Sequence, residues 1–202
     1  MLVVFVEGNI GVGKSSALRA LERAGQAVVY EQVAEWSLWL DRNKYPHRHT
    51  FSFQVQVCMS MFAHIRDAIQ KFEPTHHVLY CERSILSSTV FGRAAHARGH
   101  MVDAEIELLA DLASHLHADL VSGHKYLSVL LQCKPETAVK RIRDRGRSGE
   151  DNLDATFVND LHKRFTTFCD SATVINTDTD APCEVAKNVI LKTQPIPHSI
   201  VV

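Results

Sequence analysis

The stretch Gly8-Asn9-Ile10-Gly11-Val12-Gly13-Lys14-Ser15 satisfies G-x-x-x-x-G-K-[ST] at every fixed position. That spacing makes a phosphate cradle. Glycines let successive backbone N–H groups curl toward phosphate oxygens with no Cβ in the way. A helix beginning near Lys14 adds the positive end of its dipole. Lys14 itself brings a point charge to the β- and γ-phosphates of a nucleoside triphosphate such as ATP, and Ser15 brings an oxygen for Mg²⁺. Glu82 closes the apolar run Val78-Leu79-Tyr80-Cys81 and can hold the same ion through water. A strand-end surface acid is the ordinary alternative, which the phosphate loop outweighs. Arg141, Arg143, Arg145 and Arg147, beside Lys140, form an Arg-rich lid over about residues 141–152. Guanidinium groups on such a segment neutralise charge on a transferring phosphoryl group, where a lone basic helix end would simply be solvated. Glu31 follows a short strand at the same sheet edge. A carboxylate there can accept a proton from a hydroxyl that attacks the γ-phosphate.

The elements that must position these residues follow from periodicity. Leu2–Glu7 reads as a buried parallel strand, and Lys14–Ala24 as a helix stopped by Gly25. Ala27–Tyr30 is a second strand, after which Glu31 begins a helix that turns Trp36 toward the cleft. Phe51–Phe72 carries Phe53, Val57, Met61 and Ile65 on one stripe, the signature of a long amphipathic helix. His77–Cys81, Leu127–Cys133 and Thr173–Thr177 complete five strands. Helices at Ile85–Ala97, Asp103–Ala118, from Pro135, at Asp154–Phe168 and at Cys183–Leu191 separate them. The expectation is one α/β domain over residues 1–192, a five-stranded mostly parallel sheet with helices on both faces, and a loose tail over 193–202. Such a sheet binds ligands at the carboxyl ends of its strands, where the cradle, Glu31 and Glu82 all fall.

Composition narrows the class. In 202 residues, 22 Lys and Arg against 23 Asp and Glu give a formal charge of −1, which argues against a nucleic-acid partner. No apolar run of about 18 residues implies a membrane span, and Met1-Leu2-Val3-Val4 lacks the basic start of a signal peptide. Five scattered cysteines without C-x-x-C spacing read as free thiols in a reducing compartment, here the cytoplasm. The histidine pairs His47/His49, His76/His77 and His115/His117 lack zinc-site context and read as ordinary polar residues.

Glu7-Gly8-Asn9-Ile10-Gly11 with Gly13-Lys14-Ser15, Glu31-x-Val33-Ala34-x-Trp36, Phe53-Gln54, Glu82-Arg83-Ser84 and Arg145-Gly146-Arg147-x-x-Glu150 occur in order over residues 2–177. Together they resemble the deoxynucleoside kinases, a P-loop kinase family, and most closely its thymidine-accepting branch. The resemblance implies that Glu31 is the general base on the nucleoside 5′-hydroxyl, with Arg83 supporting it and Lys14 at the phosphates. It implies Ser15 and Glu82 for Mg²⁺, Arg141, Arg145 and Arg147 for the phosphates of ATP, and Glu150 for the deoxyribose 3′-hydroxyl. Gln54 would read the base edge, with Trp36 and Phe91 packing around it. Gln32 stands where the family usually has Pro. The family's sugar-binding Tyr falls near Asn43 in an ungapped alignment, with Tyr45 two residues on. Members that prefer deoxycytidine carry charged residues at the places of Met61 and Ser88; both charges are missing here.

Gln54 can present a donor and an acceptor to either pyrimidine by flipping its amide. Val57 and Met61 lie one and two turns along the helix, and an apolar Met61 leaves room for a thymine 5-methyl group; their commoner fate is plain core. With this pocket, the resemblance implies phosphorylation of thymidine and deoxycytidine by ATP; it also implies a homodimer formed through helices, with which the apolar content of Ile106–Leu116 is compatible. The alternative is a thymidylate or other nucleoside-monophosphate kinase, which Glu31 disfavours because it would repel an acceptor phosphate. A GTPase switch would need N-K-x-D, and Asn43-Lys44-Tyr45-Pro46 fails at the fourth position.

Overall fold

The computed structural model describes residues 1–36, 44–150 and 153–193. Asn43, residues 151–152 of the expected lid and nearly all of the expected tail lie outside the described residues. Strands β1 (Leu2–Glu7), β2 (Ala27–Val29), β3 (Val78–Glu82), β4 (Lys125–Gln132) and β5 (Thr173–Asn176) form one sheet in the order β2-β3-β1-β4-β5. Every neighbouring pair is parallel, with Phe5 of β1 opposite both Cys81 and Ser128. Among the described residues seven α-helices connect or flank the strands: α1 (Lys14–Arg23), α2 (Pro46–Phe72), α3 (Ser87–Ala97), α4 (Asp103–Val121), α5 (Pro135–Arg145), α6 (Ala155–Phe168) and α7 (Pro182–Thr193).

The period-two alternation of β1 divides the core. Val3 and Phe5 pack into one apolar layer with Val57, Met61 and Ile65 of α2 and with Leu109 and Ala113 of α4. Val4 and Val6 face the opposite layer, with Leu18 and Leu21 of α1, Ile142 of α5 and Val189 of α7. A central strand buried on both faces is what a parallel sheet between two helical layers requires. Helix α3 reaches α4 closely through Gly92, where a Cβ would lie 2.6 Å from Leu109 Cδ2 and 2.8 Å from Ile106 Cδ1. The chain leaves β1 toward β2 and β3 on one side and reaches β4 and β5 on the other. The carboxyl end of β1 is thus the point at which such sheets open a crevice.

Several boundaries differ from the sequence reading. Helix α2 starts at Pro46 rather than Phe51, because proline at the first helical position has its φ preset and lacks an N–H that would be orphaned anyway. Polar His47, Arg48 and His49 hide that first turn from an apolar count. The helix expected after Glu31 is a single 3₁₀ turn, Val33–Glu35, and Trp36 follows it in extended conformation. Among the described residues no helix is long and apolar enough to cross a membrane.

His117 of α4 is 6% exposed, between the rings of Phe5 and Tyr126 at centroid distances of 5.2 and 5.3 Å. Its Nδ1 has no hydrogen-bond partner among the described residues, and burial pushes its pKa below the ordinary value. The unfolded chain therefore takes up a proton near pH 6.5 that the folded chain refuses. This contribution to stability is complete above that pH and declines as pH falls below it. Urea midpoints should fall more between about pH 7.5 and 5.5 for the wild type than for His117→Phe; equal slopes would contradict this account of His117.

Candidate active site

The cradle is built from backbone. Gly8, Gly11 and Gly13 have φ of 138°, 81° and 98°, values L side chains rarely adopt. At Gly11 a Cβ would also sit 2.6 Å from Ala138 O. Asn9 fixes the loop: its Nδ2 donates to Val158 O at 2.8 Å and its Oδ1 accepts from Ile10 N at 2.8 Å. Lys14 Nζ donates to Asn9 O at 2.8 Å. Burial, and then the nearby Arg83 charge, push the Lys14 pKa down to about 7. A polyphosphate brought beside it would favour the ammonium form again.

Glu82 sits where β3 ends and joins two strands' worth of chemistry. Its Oε1 accepts from Ser15 Oγ at 2.7 Å and its Oε2 accepts from Glu31 N at 3.5 Å. Ser15 and Glu82 thus present only oxygen donors side by side, the ligand type Mg²⁺ prefers.

Arg83 follows in left-handed backbone, φ 68°, the one non-glycine residue with positive φ among the described residues. Its Nη1 donates to Gly8 O at 2.7 Å. Its Nε lies 3.3 Å from Glu31 Oε1, near enough for an ion pair although not aligned as a hydrogen bond. The guanidinium lies over the rings of Phe91 and Phe165 at 4.8 and 5.1 Å. The turn itself is held on both sides: Arg83 N donates to Val6 O at 3.0 Å. Fully buried Glu7 accepts from Ser84 N at 2.8 Å and Ser87 Oγ at 2.5 Å.

Cradle, Glu31, Glu82 and Arg83 open on one cavity of about 700 Å³. Its other end is walled by Trp36, Phe53, Gln54, Val57 and Phe91. Trp36 packs edge-on to Phe53 at 5.8 Å, and its Nε1 has no hydrogen-bond partner among the described residues. Three expected nucleoside contacts do not line this cavity. Tyr45 is 51% exposed and packs against His49 and Lys44. Met61 is buried in the α2–α4 layer behind Val57. Ser88 is buried, with Oγ donating to Ile85 O at 2.6 Å and meeting Cys58 Sγ at 3.0 Å.

The arginines divide into two kinds. Arg141 is fastened to backbone, with Nη2 donating to Thr177 O at 2.6 Å and Nη1 to Val12 O at 3.5 Å. Arg145 and Arg147 instead pair with the carboxylate of Glu150. All four residues line the cavity; Arg143 does not. Sequence reasoning missed Thr177, Asp180, Pro182 and Val185, which line the cavity beyond the cradle together with Arg19. They follow β5, so the rule that ligands sit at strand carboxyl ends could have found them. Asp178 beside them accepts from Lys134 N at 3.0 Å and Thr137 Oγ1 at 2.7 Å, at the start of α5. The Thr137 hydrogen bond leads the effects that hold its pKa below the usual carboxylate range.

The chain is similar to proteins of known family and fold. A family model described as deoxynucleoside kinase matches residues 4–194. A candidate deoxynucleoside kinase of Frog virus 3 (isolate Goorha) is 30% identical over 165 residues, 81% of this chain and 80% of that protein. The thymidine kinase of Ictalurid herpesvirus 1 (strain Auburn) is 28% identical over 176 residues, 85% of this chain and 75% of that one. Among solved structures, deoxyadenosine kinase from M. mycoides with bound dCTP superposes with a TM-score of 0.77 at 17% identity, over 94% of this chain and 99% of that chain. That likeness is one of fold.

Lys14 yields a two-sided prediction. Burial pushes its folded pKa down from 10.5 to about 7, so burying the ammonium costs stability progressively as pH falls from 10.5 toward 7. Lys14→Met should raise the melting temperature near neutral pH by roughly 2–4 °C, the shift expected for 1 kcal/mol at this chain length. Mg·ATP should raise the wild-type melting temperature and leave that of the variant unchanged. A variant that melts lower and still responds to Mg·ATP would contradict the assignment.

Proposed function

The chain belongs to the deoxynucleoside kinase family, and from that premise we propose that it transfers the γ-phosphate of ATP to the 5′-hydroxyl of pyrimidine deoxynucleosides, with Glu31 as general base. One observation carries the reading: a carboxylate paired with Arg83 at 3.3 Å stands in the same cavity as the phosphate cradle. The cradle amides and Lys14 hold the β- and γ-phosphates. Glu31 accepts the 5′-hydroxyl proton as that oxygen bonds to the γ-phosphorus and the bond from phosphorus to the β–γ bridging oxygen breaks. The products are ADP and a deoxynucleoside 5′-monophosphate. Arg83 orients Glu31 through the ion pair, and Arg141, Arg145 and Arg147 face charge on the phosphates. Ser15 and Glu82 would hold Mg²⁺, which when bound neutralises charge on the β- and γ-phosphate oxygens.

At the far end, Gln54 is 3% exposed and lines the cavity, in reach of a base edge flanked by Trp36, Val57 and Phe91. Its amide pairs with thymine or cytosine in either flip. Glu150 belongs with the deoxyribose 3′-hydroxyl. Met61 and Ser88 tune this pocket from the layer behind its wall, and Tyr45 closes the sugar end only if the N-terminus of α2 turns inward. An acceptor that already carried a 5′-phosphate would meet Glu31, which favours the nucleoside over the monophosphate as substrate. Leu108 on α4 and Met59 on α2 are 58% and 51% exposed, which supports a homodimer through these helices. Five free thiols, four of them buried, support a reducing, cytoplasmic setting.

Glu31→Gln should lower kcat by at least about 10²-fold, the usual weight of a general base, while thymidine affinity changes little because the amide is nearly isosteric. Unchanged kcat would move the base elsewhere. Across the four deoxynucleosides, kcat/KM should favour thymidine and deoxycytidine, with thymidine no worse; a purine preference would overturn the pyrimidine reading.

A further inference from the structure

Glu150 has a side chain only 4% exposed, yet it serves two cations at once. Arg145 Nη2 donates to Glu150 Oε2 at 2.7 Å and to Oε1 at 2.8 Å, and Arg145 Nε donates to Oε2 at 3.2 Å. Arg147 Nη1 donates to Oε1 at 3.5 Å. The turn between them is folded to allow this: Gly146 and Gly149 have positive φ, and Glu150 N donates to Arg147 O at 3.1 Å. Arg141, one helical turn earlier, has no carboxylate partner among the described residues and keeps its charge on the cavity. The arginines read together from sequence therefore act in two ways. One is a fixed cation; the other two share the single negative charge of one buried acid.

We propose that Glu150 is a positioning residue that holds Arg145 and Arg147 until donor phosphates take them, and that this exchange couples phosphate binding to nucleoside binding. The inference rests on the kinase reading above and goes beyond it. A triphosphate offers the two guanidiniums more negative charge than one carboxylate does. Their departure leaves the Glu150 carboxyl group nearly buried and without these two partners, which is costly. A deoxyribose 3′-hydroxyl donated to that carboxylate lowers the cost. Nucleoside with a 3′-hydroxyl thus favours the state in which the arginines face phosphate, and triphosphate favours the state in which Glu150 faces sugar. Linkage makes the two effects equal.

The test is calorimetric titration of the full chain with the non-hydrolysable ATP analogue AMP-PNP and Mg²⁺. For the wild type, saturating thymidine should tighten AMP-PNP binding by about 5-fold or more, the lower end of usual coupling factors; 3′-deoxythymidine should produce less than about half of that. Glu150→Gln, which keeps size and loses charge, should bind AMP-PNP alone about 5-fold tighter than the wild type and lose the response to thymidine. Glu150→Ala should behave in the same way, with unchanged thermal unfolding as the check that both variants fold. An AMP-PNP affinity that is unchanged or weaker in both variants overturns the proposal, as does equal coupling with thymidine and 3′-deoxythymidine. Thymidine phosphorylation by the wild type tests the kinase reading separately, because the AMP-PNP arm without nucleoside requires no acceptor.

Discussion

The guanidinium of Arg83 is the joint on which the site depends. It reaches Gly8 O at the first residue of the phosphate loop and the Glu31 carboxylate at the end of β2. These two groups follow strands that are not neighbours in the sheet; β3, which Arg83 follows, runs between those strands. Reaching both requires the left-handed backbone at Arg83, a conformation that costs about 1 kcal/mol or more outside glycine. Glu7 and Val6 offset that cost by fixing the peptide groups on either side. Phe91 and Phe165 give the charge aromatic faces in place of water. The acid motif at the start of the phosphate loop and the Glu-Arg-Ser motif at the end of β3 are therefore one structural unit, although 75 residues separate Gly8 from Arg83.

The charge balance of the cavity follows from this unit. Lys14 is buried against a neighbouring guanidinium, so its ammonium is held in an environment that disfavours it. Glu31, Glu82 and Glu150 each sit beside a cation or a hydroxyl donor rather than against apolar wall. A site of this kind is ordered before any ligand arrives, and a polyanion relieves its like-charge crowding. The apolar half of the cavity carries Gln54 and the unpartnered Trp36 indole nitrogen as its polar features. A flat, partly polar ring with hydrogen-bonding edges suits that half better than a charged group does.

What could be read in the sequence was set by how local each feature is. The phosphate loop was legible because its spacing, flanking strand and following helix lie within about 20 residues and each has its own physical signal. The parallel sheet was legible from short apolar runs alternating with helical periods. The start of α2 was hidden because its first turn is polar and its proline reads equally as a stop. The turn after Glu31 was overcalled as a helix, since Val33-Ala34-Glu35 has helical composition but only three residues in which to use it. The division of Arg141 from Arg145 and Arg147 depends on what each meets across the fold, which spacing does not encode. Met61 and Ser88 share their helices' inward faces with Val57 and Phe91, and the position along the helix axis, one turn either way, decides which of them reaches the cavity.

The most direct test of Arg83 as the joint between cradle and base is the single-turnover rate of phosphoryl transfer to thymidine in Arg83→Lys. Lysine keeps the charge but cannot reach Gly8 O and Glu31 with one planar fork. The account predicts a rate lowered by about 10²-fold or more with Mg·ATP affinity nearly unchanged. A wild-type transfer rate in that variant would contradict it.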